Sequence, residues 1–261
     1  MAIYTTEVTS TDRESESVIH HRLLSAYKLA KFLYKGNVLE IGCGNGRGLE
    51  QIIPHAVQVT AIDKNKELIN MLAQDEKYKG IEFKCTTIPP LSVFDDNTFD
   101  TIVCFQLIEH LKNDSDFVKD LYRILKPGGK VILTTPNIKF TLTRNPWHHR
   151  EYTSEQLLRL FSSSFKKPKI NSYGVKGNDK VMEYYNENKR LIEKITRYDI
   201  FCLQHRLPVN MLKIPYELGN KLARNYLKKK NTGLVTRINC DDYYLSGNAE
   251  EGLDLFLVAE K

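Results

Sequence analysis

Cysteine is sparse and scattered in this sequence. Cys43, Cys85, Cys104, Cys202 and Cys240 are odd in number, widely spaced and free of any CxxC pair. Disulfide frameworks and thiolate zinc sites need cysteines in sets at short fixed spacings, so neither is expected. No apolar run reaches the roughly 18 residues that span a bilayer, and no signal-peptide pattern stands out; a soluble, cytoplasmic protein is the expectation. No cluster of metal ligands is visible either, and no metal is predicted. At 261 residues the chain suits one large α/β domain with an insertion, or two small domains.

Charge of one sign is what the sequence holds unevenly. The formal total is +6, yet residues 175–231 alone carry 13 Lys/Arg against six Asp/Glu. Such a segment suits an anionic substrate, an acidic membrane surface or RNA, and equally a solvated helical face.

The most informative stretch is Val38 to Glu50, VLEIGCGNGRGLE. An apolar strand runs into alternate glycines, which tolerate positive φ and let backbone N–H groups approach a ligand closely. A dinucleotide fingerprint fails on register: counted from Gly42 its third glycine falls on Arg47, and counted from Gly44 on Leu49. What remains is Glu40-x-Gly42-x-Gly44-x-Gly46. Before it, Met1–Glu16 is polar and reads as an arm or lid, and Ile19–Tyr34 shows the periodicity of a helix. His20 and His21 at its start suit a surface pair or a substrate contact.

Beyond the loop a helix breaks at Pro54, and Val57–Ile62 reads as a strand closed by Asp63, about 20 residues on, where a carboxylate can accept from a ribose diol. A helix over Lys66–Asp75 and strands at Ile81–Cys85 and Thr101–Phe105 follow. The fourth strand ends at Gln106-Leu107-Ile108-Glu109-His110, where open α/β sheets bind ligands. Leu125-Lys126-Pro127-Gly128-Gly129 then ends a helix in a turn before a fifth strand, Val131–Thr135.

In this order the motifs resemble those of the class I S-adenosylmethionine (SAM) dependent methyltransferases, of the type-11 small-molecule and glycan subset, over roughly Lys35 to Gly174 and the last strand. The resemblance implies a Rossmann-like α/β fold with a seven-stranded, mostly parallel sheet. Its seventh strand, Leu253–Ala259, inserts antiparallel between the fifth and the sixth, Lys169–Gly174. It implies SAM as cofactor, with Glu40 near the methionine portion, Gly42, Cys43, Gly44, Asn45 and Gly46 as close backbone, Asp63 at the ribose, and Lys64, Thr87 and Gln106 as further cofactor-binding positions. Thr86 and Thr87 stand where many relatives have an Asp or Asn for adenine. Neither an Asp/Asn-Pro-Pro-aromatic run nor a Pro-Cys pair follows the fourth strand, so the nucleobase methyltransferases are not matched.

Asn145-Pro146-Trp147-His148-His149-Arg150-Glu151-Tyr152-Thr153 resembles a segment of a subset linked to glycan or secondary-metabolite methylation. It marks the acceptor side, with His148 the first candidate base, His110 the second, and Thr153 a helix N-cap in competition with Ser154.

Residues 175–252 are too long for a plain connection. Val181, Tyr184, Tyr185, Leu191, Ile195 and Tyr198 fit one helical face; Leu218, Leu222 and Tyr226, after Pro215, fit another. Two helices joined around Pro208 are expected as a cap. The domain reading is an arm and helix over 1–34, a SAM-binding core over 35–174, the cap over 175–252 and a final strand over 253–261. Expected partners are a small-molecule, lipid-like or glycan acceptor, methylated on oxygen or nitrogen, with an anionic membrane contact through the basic cap and room for a homodimer. RNA methylation and non-catalytic SAM binding are the alternatives.

Overall fold

A computed structural model describes residues 14–197 and 206–261. Of the expected arm, Met1–Glu16, only Glu14–Glu16 is described, as a 3-10 turn, and the position of Tyr198 lies outside the described residues. Among the described residues the sheet has eight strands, in the order β3-β2-β1-β4-β5-β8-β6-β7. They are β1 Asn37–Ile41, β2 Gln58–Asp63, β3 Glu82–Cys85, β4 Phe99–Phe105, β5 Leu125–Pro136, β6 Ile170–Gly177, β7 Tyr243–Ser246 and β8 Asp254–Glu260. The expected count of seven is thereby corrected. The additional strand, β7, is a four-residue edge strand with one buried side chain, paired antiparallel to β6.

Strands β1 to β5 are parallel, and β8 lies antiparallel between β5 and β6. Consecutive side chains on a strand point to opposite faces, and the core divides accordingly. Val38, Val59, Ala61, Val103, Ile132 and Phe256 pack with Ala26, Tyr27, Leu49, Ile69 and Leu72 from α1 (Ser17–Leu29), α2 (Leu49–Ile52) and α3 (Lys66–Gln74). Leu39, Ile41, Ile62, Ile102, Val131, Leu133 and Leu257 pack on the other side with Phe117, Leu121, Leu157 and Phe161 from α4 (Asp114–Ile124) and α5 (Ser154–Phe161). Helices on both faces leave the strand ends open to ligands, and the order reverses between β1 and β4.

Local chemistry explains the boundaries. Thr153, not Ser154, caps α5: its hydroxyl accepts from Gln156 N while the Gln156 amide accepts from Thr153 N, a reciprocal box. The Leu125-Lys126-Pro127-Gly128-Gly129 stretch is a detour within the β5 ladder. Leu125 pairs with Phe99 and Lys130 with Thr101, and the residues between swing out of register with Gly128 at φ +76°.

Two long helices stand between β6 and β7, α6 (Asp179–Thr196) and α7 (Val209–Lys230), followed by the short α8 (Thr232–Val235). Helix α7 passes through Pro215 instead of starting after it. Its expected packing face is also corrected. Leu218, Leu222 and Tyr226 are exposed, and the buried residues are Ala223 and Leu227. On α6, Val181 and Tyr184 are buried as expected and Ile195 is exposed.

Candidate active site

The glycine loop leaves the end of β1 at the switch point. Gly42 N and Cys43 N both donate to Ile62 O, at 2.8 and 3.1 Å, which folds the loop back over β2. Gly42, Gly44 and Gly46 have φ of +80°, +53° and +76°, a left-handed alternation that side chains with a Cβ resist. A Cβ on Gly46 would come within 2.7 Å of Leu72 Cδ2, whereas one on Gly44 would meet nothing within 4 Å. The backbone at Gly44 therefore borders open space and the loop around it is packed. Asn45 beside it is half-buried.

Asp63 sits at the end of β2, below this opening. Its Oδ2 accepts from Gly44 N at 3.0 Å and its Oδ1 from Asn65 N at 2.8 Å. It braces the loop without capping a helix, because the cap of α3 is Asn65. A carboxylate oxygen accepts more than one hydrogen bond, so the Asp63 oxygens retain capacity for hydroxyl donors. Thr86 N donates to Asp63 O at 3.0 Å, which brings the turn after β3 to the same corner. Thr87 and Lys64 are exposed there.

Glu40 is the least solvated acid of the loop, 1% exposed on β1. Its Oε1 accepts from Tyr27 Oη at 2.7 Å, and its Oε2 is buried with no hydrogen-bond partner. Burial pushes this carboxyl up to about 7, against the Tyr27 hydrogen bond and the nearby Arg47 charge, which hold it down. Tyr27 reaches Glu40 because Gly48 has no side chain: a Cβ there would lie 1.8 Å from the tyrosine ring. Sequence reading did not find Tyr27; the fourth glycine, Gly48, was its one visible signal.

At the end of β4 the chain makes a single 3-10 turn, Ile108–His110. Glu109 is buried. Its carbonyl accepts from His149 N at 2.7 Å and Arg150 N at 3.2 Å, and its Oε2 accepts from Thr135 Oγ1 at 2.9 Å. Desolvation raises this carboxyl, opposed by His110 and His148. The segment after Asn145 is thus clamped onto the end of β4 by backbone, a role its motif does not announce.

Inside that segment the side chains bond one another. Asn145 Oδ1 accepts from Trp147 N at 3.0 Å, which fixes its amide so that Nδ2 faces His148 Nε2 at 2.8 Å. His148 Nδ1 lies 2.7 Å from Glu151 Oε1, and Glu151 accepts in turn from Thr141 Oγ1. Tyr152 donates to Asp114 at 2.8 Å, with the Arg150 guanidinium over its ring. His110 Nδ1 lies 3.0 Å from Trp147 O. A carbonyl only accepts, so Nδ1 carries the proton and Nε2 is the basic nitrogen of the neutral ring. The two histidine rings meet edge to face, 4.9 Å between centroids.

Glu109, His110 and His148 offer ligand atoms within 4.8 Å of one another, so the fold does assemble a cluster that the sequence hides. Gln106, at φ +52°, turns its amide to Thr134 Oγ1 and Asp254 Oδ1, both at 3.3 Å. Asp254 is held from its other side by Arg22 of α1, through Nε and Nη2 at 2.7 Å each. Nothing in the sequence marks Arg22. Its neighbour His21 faces Cys240 Sγ at 3.2 Å.

Residues 39–133, which carry the glycine loop, the acidic strand end and the switch-point turn, match the family model of a methyltransferase domain. Over those residues the chain is similar to a methyltransferase domain. A probable S-adenosylmethionine-dependent methyltransferase from Mycobacterium tuberculosis is 33% identical over 162 residues, 60% of this chain and 58% of that protein. A ubiquinone biosynthesis O-methyltransferase from Coxiella burnetii is 32% identical over 106 residues, 40% of this chain and 45% of its own. Among solved structures, a SAM-dependent methyltransferase from Thermotoga maritima, described as a possible histamine N-methyltransferase, superposes with a TM-score of 0.56. That superposition covers 93% of this chain and 92% of the other at 14% identity, a likeness of fold alone. The chain spans about half the length of the curated relatives it matches, 51% and 58% for the two mycobacterial ones.

The cofactor that a methyltransferase domain of this family implies is SAM. The residues present fit it: a buried carboxylate oxygen without a donor suits a cationic ligand, an open backbone turn suits close approach, and Asp63 suits hydroxyl donors.

Proposed function

We propose that the protein is a SAM-dependent methyltransferase acting on an oxygen or nitrogen of a small-molecule, lipid-like or glycan acceptor. The observation that carries this reading is the unpartnered Oε2 of Glu40 beside the open turn at Gly44. Leaving a buried carboxylate oxygen unpaired costs free energy, and a bound cation is what offsets it. Glu40 would meet the cationic methionine portion, with the backbone of Gly42, Cys43, Gly44, Asn45 and Gly46 close against the ligand. Asp63 and Lys64 would hold the ribose, and Thr87 and Gln106 would border the same crevice.

When bound, SAM supplies an electrophilic methyl on a sulfonium leaving group. The chain has to bring the acceptor atom in line, exclude water and, for a hydroxyl acceptor, take up a proton. For that proton the candidates are His148 and His110. His110 is fixed by Trp147 O as the tautomer with a basic Nε2, while His148 is engaged at both nitrogens, by Glu151 and Asn145. Through those bonds His148 also holds the Trp147 loop in place. The O-methyltransferase relative supports an oxygen acceptor, and the partial coverage of that relative keeps its substrate its own.

The test begins with methyl-labelled SAM and fractionated cell extract, to find the fraction that takes the label. On that acceptor, His110→Ala should lower kcat by about 10² to 10⁴ at unchanged SAM affinity if the acceptor is a hydroxyl. Wild-type turnover of a hydroxyl acceptor by His110→Ala would remove His110 from the reaction.

A further inference from the structure

We propose that helix α7 is a docking surface for an anionic lipid bilayer. Met211, Ile214, Leu218, Leu222 and Tyr226 recur at spacings of three and four residues and so share one face of the helix. An amphipathic helix ordinarily turns such a face to the core. Here these five are 61, 72, 56, 69 and 53% exposed, and the residues α7 does bury, Ala223 and Leu227, lie elsewhere on its circumference.

The same helix carries Lys213, Lys221, Arg224, Lys228, Lys229 and Lys230 against one acid, Glu217. Lys221 and Lys229 are exposed alongside the apolar residues. An apolar stripe bordered by lysines matches one partner in both respects. The apolar side chains enter the acyl boundary of a bilayer, and the ammonium groups stay among lipid phosphates. RNA would use the charge and leave the apolar stripe in water. A second copy meeting through the same face would bring two basic helices together, like charge against like. No helix among the described residues is long and apolar enough to cross a membrane, so the attachment lies in the plane of the surface.

The placement of α7 gives the docking a consequence. Trp147 Nε1 donates to Glu217 at 2.9 Å, and Lys213 Nζ stands 4.2 Å from the centre of the Trp147 ring. A chain resting on lipid through α7 holds the Trp147 loop, and with it His110, next to the bilayer. This consequence for acceptor supply rests on the methyl-transfer reading; the docking surface does not.

Co-sedimentation with vesicles of phosphatidylcholine, with and without phosphatidylglycerol, tests it on the full chain. Binding is expected only to the phosphatidylglycerol vesicles and should fall as salt is raised. Leu218→Asp with Leu222→Asp, and separately Lys221→Glu with Lys229→Glu, should each weaken it by about tenfold or more. Far-ultraviolet circular dichroism and SAM affinity should stay at wild-type values in both, which separates loss of the surface from loss of the fold or of the cofactor site. Absence of binding to the anionic vesicles would overturn the proposal, as would equal binding to the neutral ones. A lipid-free dimer that Leu222→Asp dissociates would overturn it too, by giving the face to a second copy.

Discussion

Glu40 is held buried with one carboxyl oxygen lacking a hydrogen-bond partner. Its carboxyl is raised to about 7 by burial, from an ordinary 4.5. Between those values the unfolded chain ionises while the folded chain keeps its proton. Stability is therefore greatest at the acid end of that window, falls as pH rises to about 7, and levels off above it. The full cost is about 3 kcal/mol, at roughly 1.4 kcal/mol per pKa unit. Glu40→Gln removes the charge and keeps an acceptor for Tyr27, but puts an amide NH2 where Oε2 has no partner, so at pH 8 urea unfolding of the ligand-free variant should show a gain of about 1 kcal/mol. SAM affinity should fall in the same variant. In the wild type it should rise with pH up to about 7 and then flatten, because a cationic ligand favours the ionised carboxyl. A variant less stable than wild type at pH 8 would mean the buried carboxylate is already compensated.

At the scale of elements, the loop from Asn145 to Thr153 is held by a chain of local contacts, and each link has a separate effect. The reciprocal Thr153–Gln156 box starts α5 directly after Tyr152 and fixes where the loop ends. Thr153→Ala should cost about 1 kcal/mol of unfolding free energy, the usual worth of an N-cap. Being remote from Glu40 and Asp63, it should leave SAM affinity unchanged in calorimetry; a weakened affinity would show that the loop and the glycine turn are coupled. The sequence displayed this cap because its signal is local, three residues from donor to acceptor. It did not display the packing of α7. Leu218, Leu222 and Tyr226 have the spacing of a buried face, but periodicity shows only that residues share a face. The contact residues, Ala223 and Leu227, were decided by tertiary neighbours.

For the whole molecule, legibility divides along the same line. The order of β1 to β5 and the antiparallel insertion of the last strand were readable from apolar runs, glycine turns and the family resemblance. Strand β7 was not. Four residues on a sheet edge with one buried side chain carry no alternation to detect. In the site, the glycines, Glu40, Asp63, His110 and His148 were visible as motif positions. Tyr27, Arg22 and the Glu109 clamp were not, because each acts through a partner distant in sequence: Arg22 meets Asp254, 232 positions away. The bond from His110 to Trp147 O spans 37 positions, whereas His148 bonds Asn145 and Glu151, each three positions away.

Methyl transfer by this chain requires SAM to lodge at the turn where the backbone of Gly44 borders open space. Calorimetric titration of SAM into the wild type and Gly44→Val tests this directly. At φ +53° a branched residue is disfavoured and would project into the space assigned to the ligand. Saturable binding by the wild type is expected. In Gly44→Val, binding should be lost while circular dichroism remains that of the folded protein. Wild-type affinity in a folded Gly44→Val variant would contradict the placement of the cofactor.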